Sequence, residues 1–559
     1  MNLAVADLVG VVERALCHGG ALLTAGERRI VDRIVALEGE AAVAYARLTA
    51  RVSSVFEVDR LTIAGVTDVS SALAELERVG LVDGLVGWDA RARALLKADL
   101  VVALRRLGLP HRGDREELLA NLRGQRGFSR ARFVRVRHRP LVRRLERWAF
   151  LEPFPDRAKP VMERLGVARW PTYALTSGAV LPPSRRRWLA YEQLADRLSG
   201  QGPPLTPQAA LDALRDGTAR VPARLDLTQL LHHELLAVGH GLERQRRPAE
   251  ACELYERLVD EGGLRLPKVA FRWGQALVAD GRAADALDLL ARARVEASGA
   301  ERMAIVRGMR RIARTLGRGI APDPPLRPAP RREIRLERLD TEGARPRWGS
   351  AEQTVEAAVC HWLGESGRGA RHGEGRPFST LFSLLFADVL FMPVPGALPV
   401  RYLTRPLDFG TPAFRAARAD AIDHVWDRVR RGGASALIRD AWDRLYGVRI
   451  VGARWDQVTL PELQTLADSL GHDGLHAILE PMLAHGSRHH AGLPDLVIWP
   501  GPAVRLGESF PSRLDEGLCL AEIKSPGDRL RDEQRIWLDR LIGAGVRAEL
   551  WEVVPPPAR

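Results

Sequence analysis

The proline-rich segment IAPDPPLRPAPRREIRLERLD, residues 320–340, divides this chain into two parts with different hydrophobic patterns. Before it, apolar residues recur mainly at helical spacing, whereas beyond it short apolar runs typical of strands alternate with helical stretches. Proline and charge at this density indicate a linker. Because 559 residues also exceed what one hydrophobic core usually holds, we predict a multidomain chain, mainly α-helical before a linker at 321–345 and α/β after it, at 346–559.

Composition and charge restrict the class of protein. With 46% hydrophobic and 27% charged residues, the chain resembles an ordinary globular protein, and its net charge of +13 would attract phosphate backbones or anionic lipid. We find no signal peptide and no apolar run of membrane-spanning length. Cys17, Cys252, Cys360 and Cys519 form no CxxC pair, which argues against a zinc knuckle or a disulfide framework. We therefore expect a protein of the reducing cytoplasm that is not associated with a membrane.

Two modules of the N-terminal half resemble known DNA-binding folds. Residues 1–95 are predicted to be helical, and LTIAGVTDVSSALAELERVGLVDG resembles part of a winged helix. In the region 96–200, ADLVVALRRLGLPHRGDREELLANLR has two helical stretches separated by a Gly-Leu-Pro turn and Gly113. This pattern resembles the SAP module, a family that binds DNA backbones.

An arginine-rich segment, SRARFVRVRHRPLVRRLERW, follows the second module directly. Its spacing predicts that Arg135, Arg137 and Arg139 share one face of a strand and that the arginines from Arg143 lie on a helix. A solvated edge strand would carry such charges too, but the scarcity of acidic residues favours binding of sugar-phosphate. The predicted DNA-binding residues are Arg130, Arg132, Arg135, Arg137, Arg139, Arg143 and Arg144.

The region 201–320 contains an internal repeat. Gly239 and Ala251 recur as Gly274 and Ala286, an offset of 35 residues that is close to the tetratricopeptide period of about 34. The two copies predict paired helical hairpins. They could form a peptide-binding solenoid, but two repeats favour a spacer between DNA-binding and catalytic parts.

Candidate catalytic residues are found in the α/β region. Asp495 opens the apolar strand that follows GLP, and in the next strand, LCLAEIK, Glu522 and Lys524 project from the same face. Neighbouring strands would bring Asp495 and Glu522 together, and Gln534 shares a face with apolar residues of the following helix. Glu374 precedes the apolar run Phe378–Phe391, where helix capping is the simpler explanation.

Carboxylates meeting in this way are suited to phosphodiester hydrolysis. A Mg²⁺ or Mn²⁺ ion prefers oxygen ligands, activates water and clamps a phosphate. A lysine can stabilise the phosphate and, unlike arginine, can lose its proton when it is desolvated. Of the 83 basic residues only Lys97, Lys159, Lys268 and Lys524 are lysines, so a lysine beside Glu522 supports a chemical role.

The order of these elements resembles the PD-(D/E)xK nuclease core. More narrowly, GLPDLVIW, EIKSPGDRL and EQRIWL resemble the VRR nuclease domain, and together with HGEGRPFSTLFSLLFADVLF and RPLDFGTPAF they occur in the order seen in Fanconi-associated nucleases. The resemblance covers the chain from about residue 30. It implies a structure-directed nuclease that cuts branched or flapped double-stranded DNA at 5' flaps, with 5'-to-3' exonuclease activity, in DNA repair that includes interstrand crosslinks.

The resemblance also implies roles for individual residues. Glu374, Asp495 and Glu522 would bind the metal through their carboxylates, and Ile523 through its backbone carbonyl. Lys524 would be the catalytic lysine, and Gln534 would help to orient the site.

The sequence leaves several alternative functions open. A junction resolvase or restriction-type endonuclease would share the core, and a DNA-binding scaffold without activity would share the basic N-terminal half. His485, His489 and His490 could bind zinc, although a solvated loop is the simpler interpretation. A zinc protease is excluded because Ala237 stands where HHE would need its second histidine, and no GxxxxGK[ST] motif supports an ATP-driven helicase.

Overall fold

The chain folds as two compact units. The computed structural model describes residues 2–51, 53–125, 128, 131–176, 181, 184–200, 202–219, 226–339, 347–348, 354–373, 375–486, 491–500 and 517–556. The N-terminal unit comprises Met1–Val167, Ala179–Pro204 and Arg224–Asp226; the C-terminal unit comprises Ala168–Gly178, Leu205–Ala223 and Leu227–Arg559. Among the described helices none is both long and apolar enough to cross a membrane.

The N-terminal unit is mainly helical. Its elements are α1 Leu3–Gly19, α2 Ala25–Val35, α3 Gly39–Thr49, β1 Val55–Glu57, α4 Val69–Arg78, β2 Val82–Asp83, α5 Trp88–Ala94, α6 Lys97–Arg106, α7 Arg115–Leu122, β3 Phe133–Val136, α8 Arg139–Phe150, α9 Ala158–Arg164 and α10 Arg185–Leu198. Local signals fix several helix starts: Thr24 and Glu27 form a capping box on α2, and the Asp68 side chain caps α4.

A small antiparallel sheet joins distant parts of this unit. Its order is β1-β3-β2, and Val55 lies opposite Arg135 while Val82 lies opposite Val136. Leu73 and Leu76 of α4 and Val134 of β3 share one core. The sheet therefore crosses the boundary expected between residues 95 and 96, and the pair α6–α7 is inserted between two of its strands.

Helices α6 and α7 are the two helical stretches predicted on either side of the Gly-Leu-Pro turn and Gly113. Leu104, Leu118 and Leu122 are completely buried between the helices, and α7 begins with a capping box formed by Asp114 and Glu117. The two helices share a compact apolar cluster, and the SAP-like assignment stays a prediction.

The first part of the C-terminal unit consists of helical hairpins. Its helices are α11 Pro207–Arg215, α12 Thr228–Arg244, α13 Pro248–Asp260, α14 Leu266–Ala279, α15 Ala283–Glu296 and α16 Gly299–Thr315. The repeated alanines, Ala251 and Ala286, are fully buried. A Cβ atom on Gly239 would lie 2.4 Å from the Tyr255 ring, so glycine permits the close approach of α12 to α13.

The second part of the C-terminal unit is α/β. Its elements are β4 Arg331–Arg335, β5 Arg338–Leu339, β6 Arg347–Trp348, α17 Val355–Glu365, β7 Arg368–His372, α18 Arg376–Leu385, α19 Ala387–Leu390, α20 Pro412–Ala416, α21 Ala419–Arg430, α22 Ala434–Leu445, α23 Leu460–His485, β8 Leu496–Pro500, β9 Cys519–Lys524, α24 Asp532–Gly543 and β10 Ala548–Val554. The apolar run Phe378–Phe391 is thus two buried helices that meet at Phe386.

Five strands of this part form one mixed sheet in the order β4-β10-β9-β8-β7. The strands β4, β10 and β9 are parallel, whereas β7, β8 and β9 are antiparallel neighbours. Side chains alternate between two cores: Leu496 and Ile498 pack with α17, and Val497 and Trp499 pack with the core that contains α18, α23 and α24.

Strand β4 lies inside the segment predicted as a linker. Its residues Arg331–Arg335 pair with Leu550–Val554 of β10, and Ile334 is buried. The prediction of a linker at 321–345 is therefore wrong for these residues. The strand was not predicted because charged side chains on an edge strand have the same composition as a solvated linker.

Candidate active site

Asp495 is held at the start of β8 by backbone contacts. Its Oδ2 accepts a hydrogen bond of 2.9 Å from the Ile523 backbone amide of β9. Just before it, Gly492 has φ +91°, and a Cβ atom there would lie 2.8 Å from Glu533 Cβ at the start of α24. Glycine therefore lets the GLPD turn pass the helix end, and the predicted convergence of Asp495 with β9 is present.

Glu522 lies at the centre of the site and is fully buried. Its Oε1 accepts from Lys524 Nζ at 2.7 Å and also from Gln534 Nε2 of α24. Its other oxygen, Oε2, is buried and has no hydrogen-bond donor among the described residues. A buried carboxylate oxygen without a donor is costly, so this atom is available to a cation.

The electrostatics of the two carboxylates agree with this arrangement. Burial, and then the negative charge of Asp495, raise the pKa of Glu522 to about 7 although Lys524 acts in the opposite direction. Burial is also the largest cause that raises the pKa of Asp495, against the lowering effects of the Ile523 amide and Lys524. The single charge of Lys524 therefore does not neutralise the two carboxylates, and a divalent cation would supply the positive charge that is missing.

Gln534 joins α24 to the site. Its Oε1 accepts a 2.9 Å bond from the Arg531 amide at the helix N-terminus, so its Nε2 is turned towards Glu522. The side chain is almost completely buried with Trp537, Leu538 and Leu541 on the same helix face, as predicted.

The third predicted carboxylate, Glu374, lies outside the described residues, as do His489, His490 and the side chain of His485. Within the described ranges, no three His, Cys, Asp or Glu side chains are grouped so as to hold a metal ion. The site that can be described consists of Asp495, Glu522, Ile523, Lys524 and Gln534.

Glu356 contributes to the site although its sequence context does not single it out. It lies in the first turn of α17, and its negative charge contributes to the raised pKa of Asp495. The sequence TVEAAVC contains no signal beyond an acidic residue that compensates a helix N-terminus. Only the packing of α17 against the sheet brings this carboxylate towards Asp495.

A basic groove of about 1580 Å³ adjoins the site within the C-terminal unit. Its walls come from α14, α16, the segment Lys524–Arg531 and the start of α24. Its basic lining residues are Lys268, Arg272, Arg302, Arg307, Arg310, Arg331, Lys524, Arg529, Arg531 and Arg535, against Glu301, Asp323, Asp528, Asp532, Glu533 and Glu552. Arg310, Arg529 and Arg535 make no ion pair with the described residues, so the groove has an excess of positive charge beside Lys524.

The arginines predicted to bind DNA all belong to the N-terminal unit. Arg130 lies outside the described residues. Arg132 pairs with Glu77 at 3.3 Å and Arg135 with Asp83 at 2.8 Å, whereas Arg137 is exposed.

Two of those arginine predictions are corrected by the structure. Strand β3 ends at Val136, so the strand face predicted for Arg135, Arg137 and Arg139 does not form, and Arg139 begins helix α8. Arg144 is 6% exposed and forms ion pairs with Glu27 at 2.5 Å and Glu192 at 2.7 Å. It therefore stabilises the fold instead of facing DNA. Arg143, by contrast, is half-buried on α8.

Comparison with protein families identifies the site-bearing region. Residues 429–555 match the VRR-NUC domain, a range that contains every described residue of the site. A domain of this type implies dependence on a divalent metal ion.

Curated relatives extend the similarity. A Fanconi-associated nuclease 1 homologue of Arabidopsis thaliana is 26% identical over 450 residues, which are 74% of this chain and 49% of that protein. Fanconi-associated nuclease 1 of Danio rerio is 34% identical over 193 residues, 34% of this chain and 18% of that protein. The chain thus spans about half or less of the length of these relatives.

Solved structures show the fold. The crystal structure of paFAN1 bound to 5' flap DNA with a one-nucleotide flap and a gap has a TM-score of 0.81 and 22% identity, and the match covers 99% of each chain. The complex with a two-nucleotide flap has a TM-score of 0.80 and 22% identity over 100% of each chain.

Proposed function

We propose that this chain, which carries a VRR-NUC domain and is homologous to the Fanconi-associated nucleases, is a divalent-metal-dependent DNA nuclease of DNA repair. Its substrate would be flapped or branched duplex, cut near a 5' end, with 5'-to-3' exonuclease activity and a role at interstrand crosslinks. The observation that carries the proposal is the convergence of Asp495, Glu522 and Lys524 around a buried carboxylate oxygen, Glu522 Oε2, to which no described residue donates a hydrogen bond.

The residues present fit a hard divalent cation. Glu522 Oε2 and the carboxylate of Asp495 supply oxygen ligands, Ile523 can add its carbonyl, and Glu374 would complete the set. Oxygen ligands of this kind suit Mg²⁺ or Mn²⁺. When bound, the cation lowers the pKa of a water molecule and neutralises charge on the scissile phosphate.

The neighbouring groups fix the two carboxylates in position and add a positive charge to the site. Gln534 fixes the Glu522 carboxylate through Oε1, which leaves Oε2 for the cation. Lys524 holds its ammonium group 2.7 Å from the same Oε1 with 15% of its side chain exposed, so the ammonium group can also reach a phosphate oxygen. The Ile523 amide fixes Asp495. Such positioning of ligands by neighbouring hydrogen bonds tunes metal affinity.

The groove supports nucleic acid as the substrate class. It begins at Lys524 and carries Arg310, Arg529 and Arg535, which form no ion pair with any described residue, a pattern suited to a sugar-phosphate backbone. The relatives whose names state a nuclease, and the solved neighbours with 5' flap DNA, are the support for a flapped substrate. We place the protein in the reducing cytosol, which agrees with four free cysteines.

The test compares purified protein on labelled 5' flap, 3' flap, nicked and four-way DNA, with Mg²⁺, Mn²⁺ or chelator. We expect metal-dependent cleavage that is fastest on the 5' flap. Asp495→Ala and Glu522→Ala should abolish cleavage while DNA binding stays intact. Glu333→Gln, at an exposed position of edge strand β4 in the same sheet, is the control variant and should cleave normally. Normal turnover in either active-site variant would reject the proposal.

A further inference from the structure

A second arginine-lined pocket lies in the N-terminal unit. It has a volume of about 910 Å³ and lies between the end of α3, helix α8 and the segment 153–158. Its charged lining residues are Arg51, Arg139, Arg143, Arg147, Arg157, Glu146 and Asp156. We call it the α8 pocket.

The acidic residues do not balance the arginines of the α8 pocket. Glu146 bonds Arg157 Nε, and Asp156 turns its carboxylate to the Ala158 amide at 2.8 Å. Asp196, which does not line the pocket, lies 2.6 Å from Arg147 and 3.7 Å from Arg143. Counting Asp196 with the lining residues, five guanidinium groups face three carboxylates.

The contacts of Arg157 leave one of its donor groups without a described partner. Its Nη1 donates to Thr49 Oγ1 at 3.2 Å, while Nη2 is buried and has no hydrogen-bond partner among the described residues. Burial, and then repulsion from Arg139, lower the pKa of Arg157 to about 10. Burial and the neighbouring Arg143 lower the pKa of Arg139 as well. An anion between these groups would satisfy the free donor and relieve the repulsion.

An aromatic ring completes the pocket. Phe154 lines it and is 46% exposed, although a side chain of this size is usually buried. Exposed aromatic rings next to cations are the combination that nucleic-acid-binding proteins use to stack bases and hold phosphates.

We infer that the α8 pocket binds one nucleotide, with its phosphate among Arg139, Arg143 and Arg157 and its base on Phe154. The nucleotide is either a unit of a DNA strand or a free nucleoside phosphate. The inference is independent of the proposed nuclease function, because binding here requires neither the metal nor cleavage.

The experiment is photocrosslinking of the full chain in chelator, where no cleavage occurs. The probes are a single-stranded oligodeoxynucleotide that contains 5-iododeoxyuridine, and free 5-iododeoxyuridine monophosphate. After irradiation, the modified peptide is mapped by mass spectrometry. We expect a crosslink at Phe154; the oligonucleotide arm reports a DNA strand as the source, and the monophosphate arm reports a free nucleotide.

Variants separate this pocket from non-specific attachment. Phe154→Leu keeps an apolar side chain and should remove the crosslink. Arg143→Gln, at a half-buried position, should weaken probe binding about tenfold, as expected for loss of one charge-assisted hydrogen bond. Arg78→Gln, whose side chain is 74% exposed in the same unit, is the control and should change neither. Absence of a Phe154 crosslink with both probes, or unchanged binding in Arg143→Gln, would overturn the inference.

Discussion

Neutralising the central glutamate should stabilise the metal-free protein while it destroys activity. The folded protein holds the pKa of Glu522 at about 7, against an ordinary value of 4.5. The folded state therefore favours protonated Glu522. The free energy of unfolding falls as pH rises from 4.5 through 7, because the unfolded chain releases this proton at a lower pH than the folded protein does. The full difference corresponds to about 3 kcal/mol. Because this side chain is 1% exposed, solvent does not screen the effect.

Glu522→Gln removes this penalty with little change in shape. In chelator, we expect the variant to exceed the wild type in stability by about 3 kcal/mol at pH 8.5 and by about 1 kcal/mol at pH 5.0. Calorimetry of the full chain, read as the midpoint of the transition that contains the C-terminal unit, measures both differences. The same variant should show no metal-dependent cleavage and no stabilisation by Mg²⁺ or Mn²⁺.

A second glutamate of the same sheet provides a control, because its substitution should change the stability in the opposite direction. Burial alone would raise the pKa of Glu549, but hydrogen bonds from Trp551 and Arg547 lower it overall. Glu549→Gln should therefore destabilise the protein at pH 8.5, and its effect should diminish as pH falls through the lowered pKa. A loss of stability in Glu522→Gln at pH 8.5, or an equal gain at both pH values, would refute the reasoning.

Three further substitutions test the support of the site and of the fold. Gln534→Leu removes the amide that fixes Glu522, so metal affinity in a calorimetric titration should fall about 10- to 100-fold, while unchanged affinity would contradict its positioning role. Arg418→Met leaves Asp408 without its 2.7 Å partner, and the free energy of unfolding should fall by about 3–5 kcal/mol; a loss under 1 kcal/mol would contradict this. Gly239→Ala places a methyl group against Tyr255 and should cost about 1–3 kcal/mol in thermal unfolding, whereas a neutral effect would show that α12 and α13 can separate.

The side of the fold that carries Asp495, Glu522 and Lys524 was predictable because its signals are local. The alternation of side chains along a strand places Glu522 and Lys524 on one face, independently of the rest of the chain. The turn before Asp495 and the apolar face that includes Gln534 are equally local. Their convergence needed only the assumption that β8 and β9 are neighbours, and the observed pairing confirms it.

Other parts depend on contacts between distant segments and could not be predicted in the same way. Strand β3 returns to β1 after an inserted helical pair, and β4 adds to the edge of a sheet whose next strand is more than 200 residues away in sequence. Glu356 acquires its interaction with Asp495 only through tertiary packing. Arg144 has the same local sequence context as a DNA-binding arginine, and only Glu27 and Glu192 show that it is structural.

The surrounding fold prevents the two buried carboxylates of the site from moving apart. Glu522 and Asp495 repel each other in a buried position, so a flexible site would relax by moving one carboxylate towards water. Here β9 is paired on both sides, and side-chain and backbone hydrogen bonds fix one oxygen of each carboxylate. The repulsion therefore remains, and a cation binds more strongly by relieving it. Metal affinity and low stability of the metal-free site have the same physical origin.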